Sequence, residues 1–238
     1  MRELLIPIAR QFPEAIFYQP TRERTIALTI DDVGDPSTEI ILEAIERQNQ
    51  SVSNSIERVR ATFFIITDFL AGKTEIIDEI LKRGHEIGNH GCFDRTHADL
   101  WLPGEFDREI TTAHEILSDN REGMIRWFRP GRGRYNRLMS EVLQKMVIKH
   151  DYNPLFALAS MIPLDTFDFT GSPKFTLSYL SRFIFPGSIL VLHGGSKIRS
   201  LQTAEVLREL LPTLRERGYR VTTLSEAIDP NPRASVSG

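Results

Sequence analysis

The chain has 238 residues, 41% of them hydrophobic, and a formal net charge of -3. This length and composition are enough for one large α/β domain with a sizeable core. The charges of both signs are interspersed and form neither a basic field for nucleic acid nor a polybasic patch for a membrane, so we expect neither as a partner. The single cysteine, Cys92, excludes an internal disulfide framework and fits a reducing compartment.

The two ends of the chain differ from the middle. The first residues lack the continuous apolar stretch and the small-residue cleavage site of a secretory signal, and no segment is long enough to span a bilayer. We therefore predict a cytoplasmic protein. It should have an N-terminal extension over residues 1–24, one folded domain over residues 25–229, and a disordered tail rich in Pro and Ser over residues 230–238.

Strand and helix signals alternate from residue 25 onward. Buried strands are predicted at residues 25–30, 61–66 and 85–89 and near residues 125, 155, 188 and 219. Amphipathic helices are predicted over residues 37–48, 74–84, 105–117, 136–148, 176–185 and 203–217. About seven strand-helix units indicate an α/β fold with a mainly parallel sheet, closed or nearly closed into a (β/α) barrel.

Three residues predict helix boundaries. Thr74 should cap the helix over residues 74–84, and Gly84 should mark its end. Pro212 should bend or divide the last long helix, because proline lacks the N–H group that a helix interior requires.

Polar groups follow the predicted strands where each strand ends. Asp31 and Asp32 close the first strand, and two adjacent carboxylates are costly to desolvate unless they reach solvent or share a cation or a proton. The alternative is a solvated turn before Gly34. Later strands lead to further polar residues, namely His90 with Asp94, Arg129, Asp165 and His193. Because the carboxyl ends of barrel strands open onto one face, these coincidences favour an active site.

Asp32, His90 and Asp94 form a plausible set of ligands for a divalent metal ion. His90 and Asp94 are four residues apart, so one helical turn could bring both to the same ion. Fewer than four protein ligands would leave an open position for a water molecule, whose pKa can fall to about 7 on a metal. His97 is the rival third ligand.

The ordered motifs resemble those of the polysaccharide deacetylase family, also described as nodulation-protein-B-like carbohydrate esterases. The family's Thr-Phe-Asp-Asp-Gly motif is similar to residues 29–33, and its Ala-Thr-Phe-Phe strand is intact at residues 61–64. Its Gly-His-Glu-Ile-Gly-Asn-His segment is present at residues 84–90, Phe-Arg-Pro at residues 128–130, and the late Leu-x-His is approximated at residues 191–193. The resemblance implies a distorted barrel of about seven strand-helix units, with the catalytic domain over residues 25–229.

The resemblance also implies roles for the acidic pair and the metal ligands. The first acid of the pair, Asp31, matches the general base, and Asp32 matches a metal ligand. His90 matches the first metal histidine. Asp94 stands where the family has its second metal histidine; a similar Asn-His followed by Asp occurs in a branch of the family, so we rank Asp94 above His97 as the third ligand.

Four further residues receive roles in the same way. Arg129 matches the arginine that orients the base, and the backbone N–H of Arg132 matches the oxyanion donor. His193 matches the general acid, and Asp165 matches the acid that holds its imidazole. A main-chain donor tolerates the change from the family's usual Tyr to Arg132.

The departures from the family pattern concern the metal and the rim of the site. Val33 replaces a Gly, Asp94 replaces a His, and Gly131 and Arg132 replace Pro and Tyr. A carboxylate in place of a neutral imidazole weakens the Lewis acidity of the metal and makes a harder ion more competitive. We expect one divalent ion, with zinc as the first choice and another divalent ion as the alternative.

The resulting functional prediction is a metal-dependent hydrolase that removes N-acetyl or O-acetyl groups from a carbohydrate. If the group is N-acetyl, the enzyme cleaves a C–N bond other than a peptide bond. One alternative is a cytosolic hydrolase of a non-sugar amide in the same superfamily. Another is a catalytically silent carbohydrate-binding homologue. A nucleophilic mechanism through Cys92 is disfavoured, because an unactivated thiol has a pKa of about 8.5.

Overall fold

The computed structural model describes residues 2–94, 102, 104–119, 121, 124–161 and 172–228. The helices are α1 (Arg2–Gln11), α2 (Thr38–Asn49), α3 (Glu75–Lys82), α4 (Glu105–Ser118), α5 (Arg137–His150), α6 (Pro173–Phe183), α7 (Lys197–Glu216) and α8 (Leu224–Ile228). The strands are β1 (Ala15–Ile16), β2 (Thr25–Val33), β3 (Thr62–Ile65), β4 (Glu86–Asn89), β5 (Phe156–Ala157), β6 (Ile189–His193) and β7 (Arg220–Thr222). Strands and helices alternate from β2 onward, as the apolar pattern predicts, except that among the described residues no strand separates α4 from α5.

Strand β2 lies at the centre of a parallel sheet. It pairs with β3 and β6, β3 pairs with β4, and β7 pairs with the first residues of β2. The side chains of Ile26, Leu28 and Ile30 are fully or almost fully buried. A strand covered on both faces reads as a continuous apolar run, which explains the sequence pattern before Asp31. The two carboxylates therefore lie at the carboxyl end of the central strand.

Parallel pairing continues beyond this sheet. Strand β1 from the N-terminal segment pairs in parallel with β5. Isolated parallel bridges join Asn89 to Phe128 and Met161 to Leu190. The parallel sheet with alternating helices confirms the predicted α/β class. The closed barrel of seven units and the domain boundaries stay predictions, and the predicted tail at residues 230–238 lies outside the described residues.

One local prediction is wrong, and two others are corrected in detail. Of the described residues 124–130, Phe128 alone forms a β-bridge, so the strand expected near Ile125 is reduced to one pairing although Ile125 is buried. Helix α7 continues through Pro212 without division, because eight buried side chains hold it against its neighbours and outweigh one lost hydrogen bond. Thr74 is the N-cap residue of α3, as predicted, but its side chain makes no capping hydrogen bond. Gly84 does follow the end of α3, with φ +79°.

In the part of the chain that the structure describes, no helix has both the length and the apolar character needed to cross a bilayer. The cytoplasmic location stays a prediction.

Candidate active site at the carboxyl end of the sheet

A β-bulge brings Asp31 and Asp32 to the same site. Successive side chains of a regular strand point to opposite faces, so an undistorted β2 would separate the two carboxylates. The pairing of β2 with β3 shifts register between Ile30 and Val33, and Asp32 has a left-handed backbone with φ 56°. Aspartate tolerates this conformation better than most residues. The bulge re-aims Asp32, and both carboxylates face His90.

The imidazole of His90 is held from one side and faces the acids on the other. Its Nδ1 lies 2.7 Å from the carbonyl oxygen of Arg129, which can only accept, so Nδ1 carries a proton and donates. Its Nε2 lies 3.4 Å from Asp32 Oδ1 and 4.0 Å from Asp31 Oδ2. In the neutral imidazole this leaves the Nε2 lone pair directed at a carboxylate. Two acceptors facing each other suit a cation between them.

The guanidinium of Arg129 fixes the other oxygen of Asp31. Arg129 Nη1 donates to Asp31 Oδ1 at 2.6 Å and to Thr29 Oγ1 at 2.7 Å. Its Nε donates to the carbonyl oxygen of Ala157 at 2.6 Å, and its cationic centre lies 4.2 Å from the ring centroid of Phe64. Arg129 and Asp31 are both buried. The pair therefore holds the Asp31 carboxylate in one orientation, with Oδ2 towards His90.

Two residues from β6 and α7 complete the described part of the site. His193, the last residue of β6, lies opposite Asp31 in the parallel register, and its carbonyl oxygen accepts from Thr203 Oγ1 at 2.7 Å. Arg199, in the first turn of α7, places Nη1 3.6 Å from Asp32 Oδ2. Both are only partly exposed. Asp32 therefore has His90 on one side and the Arg199 cation on another.

The charges of the site alter the pKa values of Asp32 and His90. Burial alone would raise the pKa of Asp32, but the hydrogen bond and charge of His90, with the charges of His193 and Arg199, lower it below its usual range. Burial alone would lower the pKa of His90, but the hydrogen bond to Asp32 and the charges of both carboxylates raise it above its usual range. The site therefore strongly favours positive charge next to Asp32.

The donors present fit a divalent ion in part. Asp32 and His90 supply one carboxylate oxygen and one imidazole nitrogen, and the Nδ1–H donation of His90 to a carbonyl oxygen is the supporting contact typical of metal-binding histidines. Within the described ranges, no three His, Cys, Asp or Glu residues lie close enough together to hold a metal ion. Asp94 is exposed, and His97 lies outside the described residues. The third ligand stays a prediction.

The remaining predicted site residues are placed as follows. Arg132 lies in a short 3₁₀ turn, Gly131–Gly133, directly after Arg129 and Pro130, with φ 54° and an exposed side chain. Asp165 lies outside the described residues. Cys92 is buried and its Sγ donates to the carbonyl oxygen of Glu109, which supports a packing role.

The Val33 departure from the family motif has a structural explanation. Val33 is fully buried, and its Cγ1 lies 2.9 Å from where a Cβ of residue 194 would be. Real Cβ atoms do not approach a neighbour this closely. Gly194 therefore makes room for the larger side chain that follows the acidic pair.

Sequence reasoning did not identify Arg199, Thr29 or the bulge. Arg199 could have been found from its place in the first turn of the helix that follows the His193 strand, after the capping Ser196. A cavity of about 800 Å³ is elsewhere; it lies at the amino ends of β3 and β4 and is lined mainly by Arg, Lys and Glu side chains. We place the active site at the carboxylates because the buried charged groups converge there.

Comparisons with known proteins identify the family of this chain. The family model described as polysaccharide deacetylase matches residues 18–150, more than half of the chain. A peptidoglycan-N-acetylglucosamine deacetylase of Bacillus cereus is 28% identical over 216 residues, which cover 88% of this chain and 90% of that protein.

Two solved structures have the same fold. A peptidoglycan N-acetylglucosamine deacetylase bound to 4-naphthalen-1-yl-N-oxidanyl-benzamide has a TM-score of 0.77 at 23% identity, covering 93% of this chain and 95% of its own. A CE4 family pseudoenzyme from Bacillus anthracis has a TM-score of 0.72 at 22% identity, covering 91% of this chain and 69% of its own. On the match to more than half of its length, the chain belongs to the polysaccharide deacetylase family.

Proposed function

We propose that this protein is a metal-dependent deacetylase that hydrolyses the N-acetyl group of an amino sugar in a carbohydrate chain. The observation that carries the proposal is the convergence of Asp31, Asp32 and the Nε2 of His90, with Arg129 holding Asp31. The Bacillus cereus relative is a peptidoglycan-N-acetylglucosamine deacetylase, which supports an N-acetylated glycan as the substrate class. An O-acetyl ester is the alternative substrate, because attack of water on its acetyl carbonyl cleaves it in the same way.

The metal ligands in this proposal are Asp32, His90 and a third residue, Asp94 by preference over His97. When bound, a divalent ion supplies Lewis acidity at the acetyl carbonyl and makes water a better nucleophile near neutral pH. Zinc is the first choice, and the carboxylate-rich set also suits a harder ion.

The chain's own residues supply the proton transfers. Asp31 Oδ2 is the atom that takes a proton from the attacking water, since Oδ1 is occupied by Arg129. The backbone N–H of Arg132 donates to the oxygen that becomes negative as the carbonyl is attacked. His193, on the strand next to Asp31, gives a proton to the departing amine, and Asp165 orients its imidazole.

The test is acetate release from N-acetylglucosamine oligomers, peptidoglycan and acetylated xylan, before and after chelation and with zinc or cobalt restored. We expect release from the N-acetylated substrates, loss on chelation, and recovery with the metal. Asp32→Asn should lose both metal and activity. The proposal fails if acetate release is unchanged after complete metal removal, or if none of the substrates is deacetylated at any metal load.

Asp94→His tests the third ligand. It should raise zinc affinity by restoring a neutral nitrogen donor of the kind common in zinc sites. Glu209→His, at an exposed position on α7, is the matched control for the affinity that any added surface histidine contributes. If both variants bind zinc equally, Asp94 is not a ligand and His97 becomes the candidate.

A catalytically silent carbohydrate-binding homologue is the second candidate function. The exposure of Asp94 and the lack of a three-donor group among the described residues favour it. It predicts glycan binding without acetate release at any metal concentration, which the same experiment separates from the leading proposal.

A further inference from the structure

The loop that follows His90 is held by a buried acid on α4 that has no place in the mechanism above. Glu109 Oε1 accepts from the backbone N–H of Cys92 at 2.8 Å and from that of Phe93 at 3.0 Å. Only 8% of the Glu109 residue is exposed. Hydrogen bonds from N–H groups to a buried carboxylate are charge-assisted and roughly twice as strong as neutral ones. One oxygen of Glu109 thus fixes two successive peptide groups.

The opposite side of the same loop is held by the turn after β3. The backbone N–H of Thr67 donates to the carbonyl oxygen of Gly91 at 3.1 Å, and that of Asp68 donates to the carbonyl oxygen of Cys92 at 2.9 Å. The loop is therefore held on both sides, and Glu109 supplies the contact from α4.

The close approach of Glu109 also explains a glycine in the loop. Gly91 has φ +90°, and a Cβ there would lie 3.2 Å from Glu109 Oε1. Asn89 strengthens the link to the same helix, because its Nδ2 donates to the carbonyl oxygen of Ile110 at 3.1 Å. Contacts from α4 therefore hold one side of the segment from Asn89 to Phe93.

We infer that Glu109 is a positioning residue that sets the backbone of the metal-binding loop between His90 and Asp94. The inference rests on the proposed function, because it gives the loop importance through its metal ligands. The hydrogen bonds of Glu109 in the described loop go to Cys92 and Phe93 and not to His90 or Asp94. Glu109 fixes the peptide groups that follow His90 and immediately precede Asp94, so its loss should let the ligands separate.

Cys92 provides a local reporter for this contact. It is the only cysteine in the chain, it is buried, and both its backbone N–H and its Sγ bond to Glu109. The reaction rate of its thiol with a disulfide reagent under native conditions measures how often the loop opens. This readout needs neither bound metal nor activity.

The experiment compares Glu109→Ala and Glu109→Gln with Leu117→Ala, which removes a fully buried side chain two turns further along α4 and leaves the loop contacts in place. All variants are measured at the same interval below their own melting temperatures. Glu109→Ala should react at least about tenfold faster than Leu117→Ala, because two charge-assisted hydrogen bonds are lost. Glu109→Gln, which keeps an acceptor, should restore most of the protection. Equal rates for Glu109→Ala and Leu117→Ala would overturn the inference.

Glu109→Asp serves if the alanine variant does not fold. It keeps the charge but withdraws the oxygen by one methylene, so it should also react faster than Leu117→Ala, and equal rates would again overturn the inference. Zinc titration of the folded variants gives the functional arm, with an expected loss of about 10- to 100-fold in affinity that Glu109→Gln reverses in large part. Unchanged zinc affinity in Glu109→Ala, or in Glu109→Asp where it replaces the alanine variant, would overturn the positioning role. If the unmodified protein binds no divalent ion, the proposed function fails while the thiol rates still decide whether Glu109 holds the loop.

Discussion

Arg129 and Asp31 form a buried ion pair in which Nη1 lies 2.6 Å from Oδ1. The contact occupies one carboxylate oxygen and leaves the other, Oδ2, towards His90 at 4.0 Å. Asp31 and Asp32 are adjacent in sequence and differ in their partners, since Asp32 lies nearer to His90 and contacts Arg199 instead of Arg129. This difference is the structural basis for giving them separate roles.

The first prediction separates the two acids. Asp31→Asn should lower turnover by about 10²-fold or more, the size usual for a lost general base, while metal content stays nearly unchanged. Asp32→Asn should lose the metal. Metal content by elemental analysis and initial rates on an N-acetylated sugar give the result. Asp35→Asn, in the loop after β2, is the control for removing a nearby charge. Loss of metal in Asp31→Asn, with activity following metal alone, would show that Asp31 is a ligand.

The second prediction concerns the backbone of the bulge. Gly195 has φ +76°, and a Cβ there would lie 2.6 Å from the carbonyl oxygen of Asp32. Gly195→Ala should therefore displace Asp32 and lower both metal affinity and turnover, by about tenfold or more each, as expected when a ligand or its support is moved.

Gly72→Ala is the matched control for this change. Gly72 has φ +79° and no heavy atom within 4 Å of an added Cβ. In both variants, an alanine in the left-handed backbone conformation should lower the free energy of unfolding by about 1–2 kcal/mol, which urea unfolding measures. Equal activity in the two variants would mean that the crowding at Asp32 has no effect on the site.

The sequence predicted the parts of this structure that depend on local pattern. The apolar run before Asp31 corresponds to β2, which is buried on both faces. The apolar stripe at residues 37–48 corresponds to α2, which is buried on one face. The weak strand near Ile125 was overpredicted, since its apolar residues are buried without extended pairing. Pro212 does not divide α7, because packing against its neighbours holds the helix together.

The site was predictable in its residues and not in its geometry. Motifs and strand ends identified Asp31, His90, Arg129 and His193, which the structure brings to one end of the sheet. The left-handed backbone of Asp32 has no signal in the sequence, where regular alternation would separate the acids. The Glu109 contact joins two segments through main-chain donors, and no residue pattern reports such a contact.

The third prediction is a loss of stability in mild acid caused by His85. Its Nδ1 accepts from the backbone N–H of Ala61, and its buried Nε2 has no hydrogen-bond partner among the described residues. Burial, followed by the charges of Arg83, Arg58 and Arg60, lowers the pKa of His85 to about 4. The unfolded chain binds the proton near pH 6.5, so this stability is complete above pH 6.5 and is lost as the pH falls towards 4.

The expected size is about 2 kcal/mol of unfolding free energy lost between pH 7.5 and pH 5.0 through this residue alone. Urea unfolding at the two pH values measures it. His85→Gln should lose less stability over the same interval, because it has no group that titrates there. Equal pH dependence in the two proteins would assign the acid sensitivity to other groups.

The last prediction concerns His193 and Asp165. A general acid must carry a proton at the working pH, and an imidazole does so near neutrality only if its pKa is kept near or above about 6.5, which a neighbouring carboxylate favours. Asp165→Asn should therefore move the alkaline limb of the rate profile to lower pH.

His193→Ala should abolish most turnover and leave the metal bound. The loss should be largest on an N-acetylated sugar, whose amine leaving group needs the proton, and smallest on an activated acetate ester, whose leaving group departs as an anion. Equal losses on the two substrates would indicate that His193 does not deliver the proton to the leaving group.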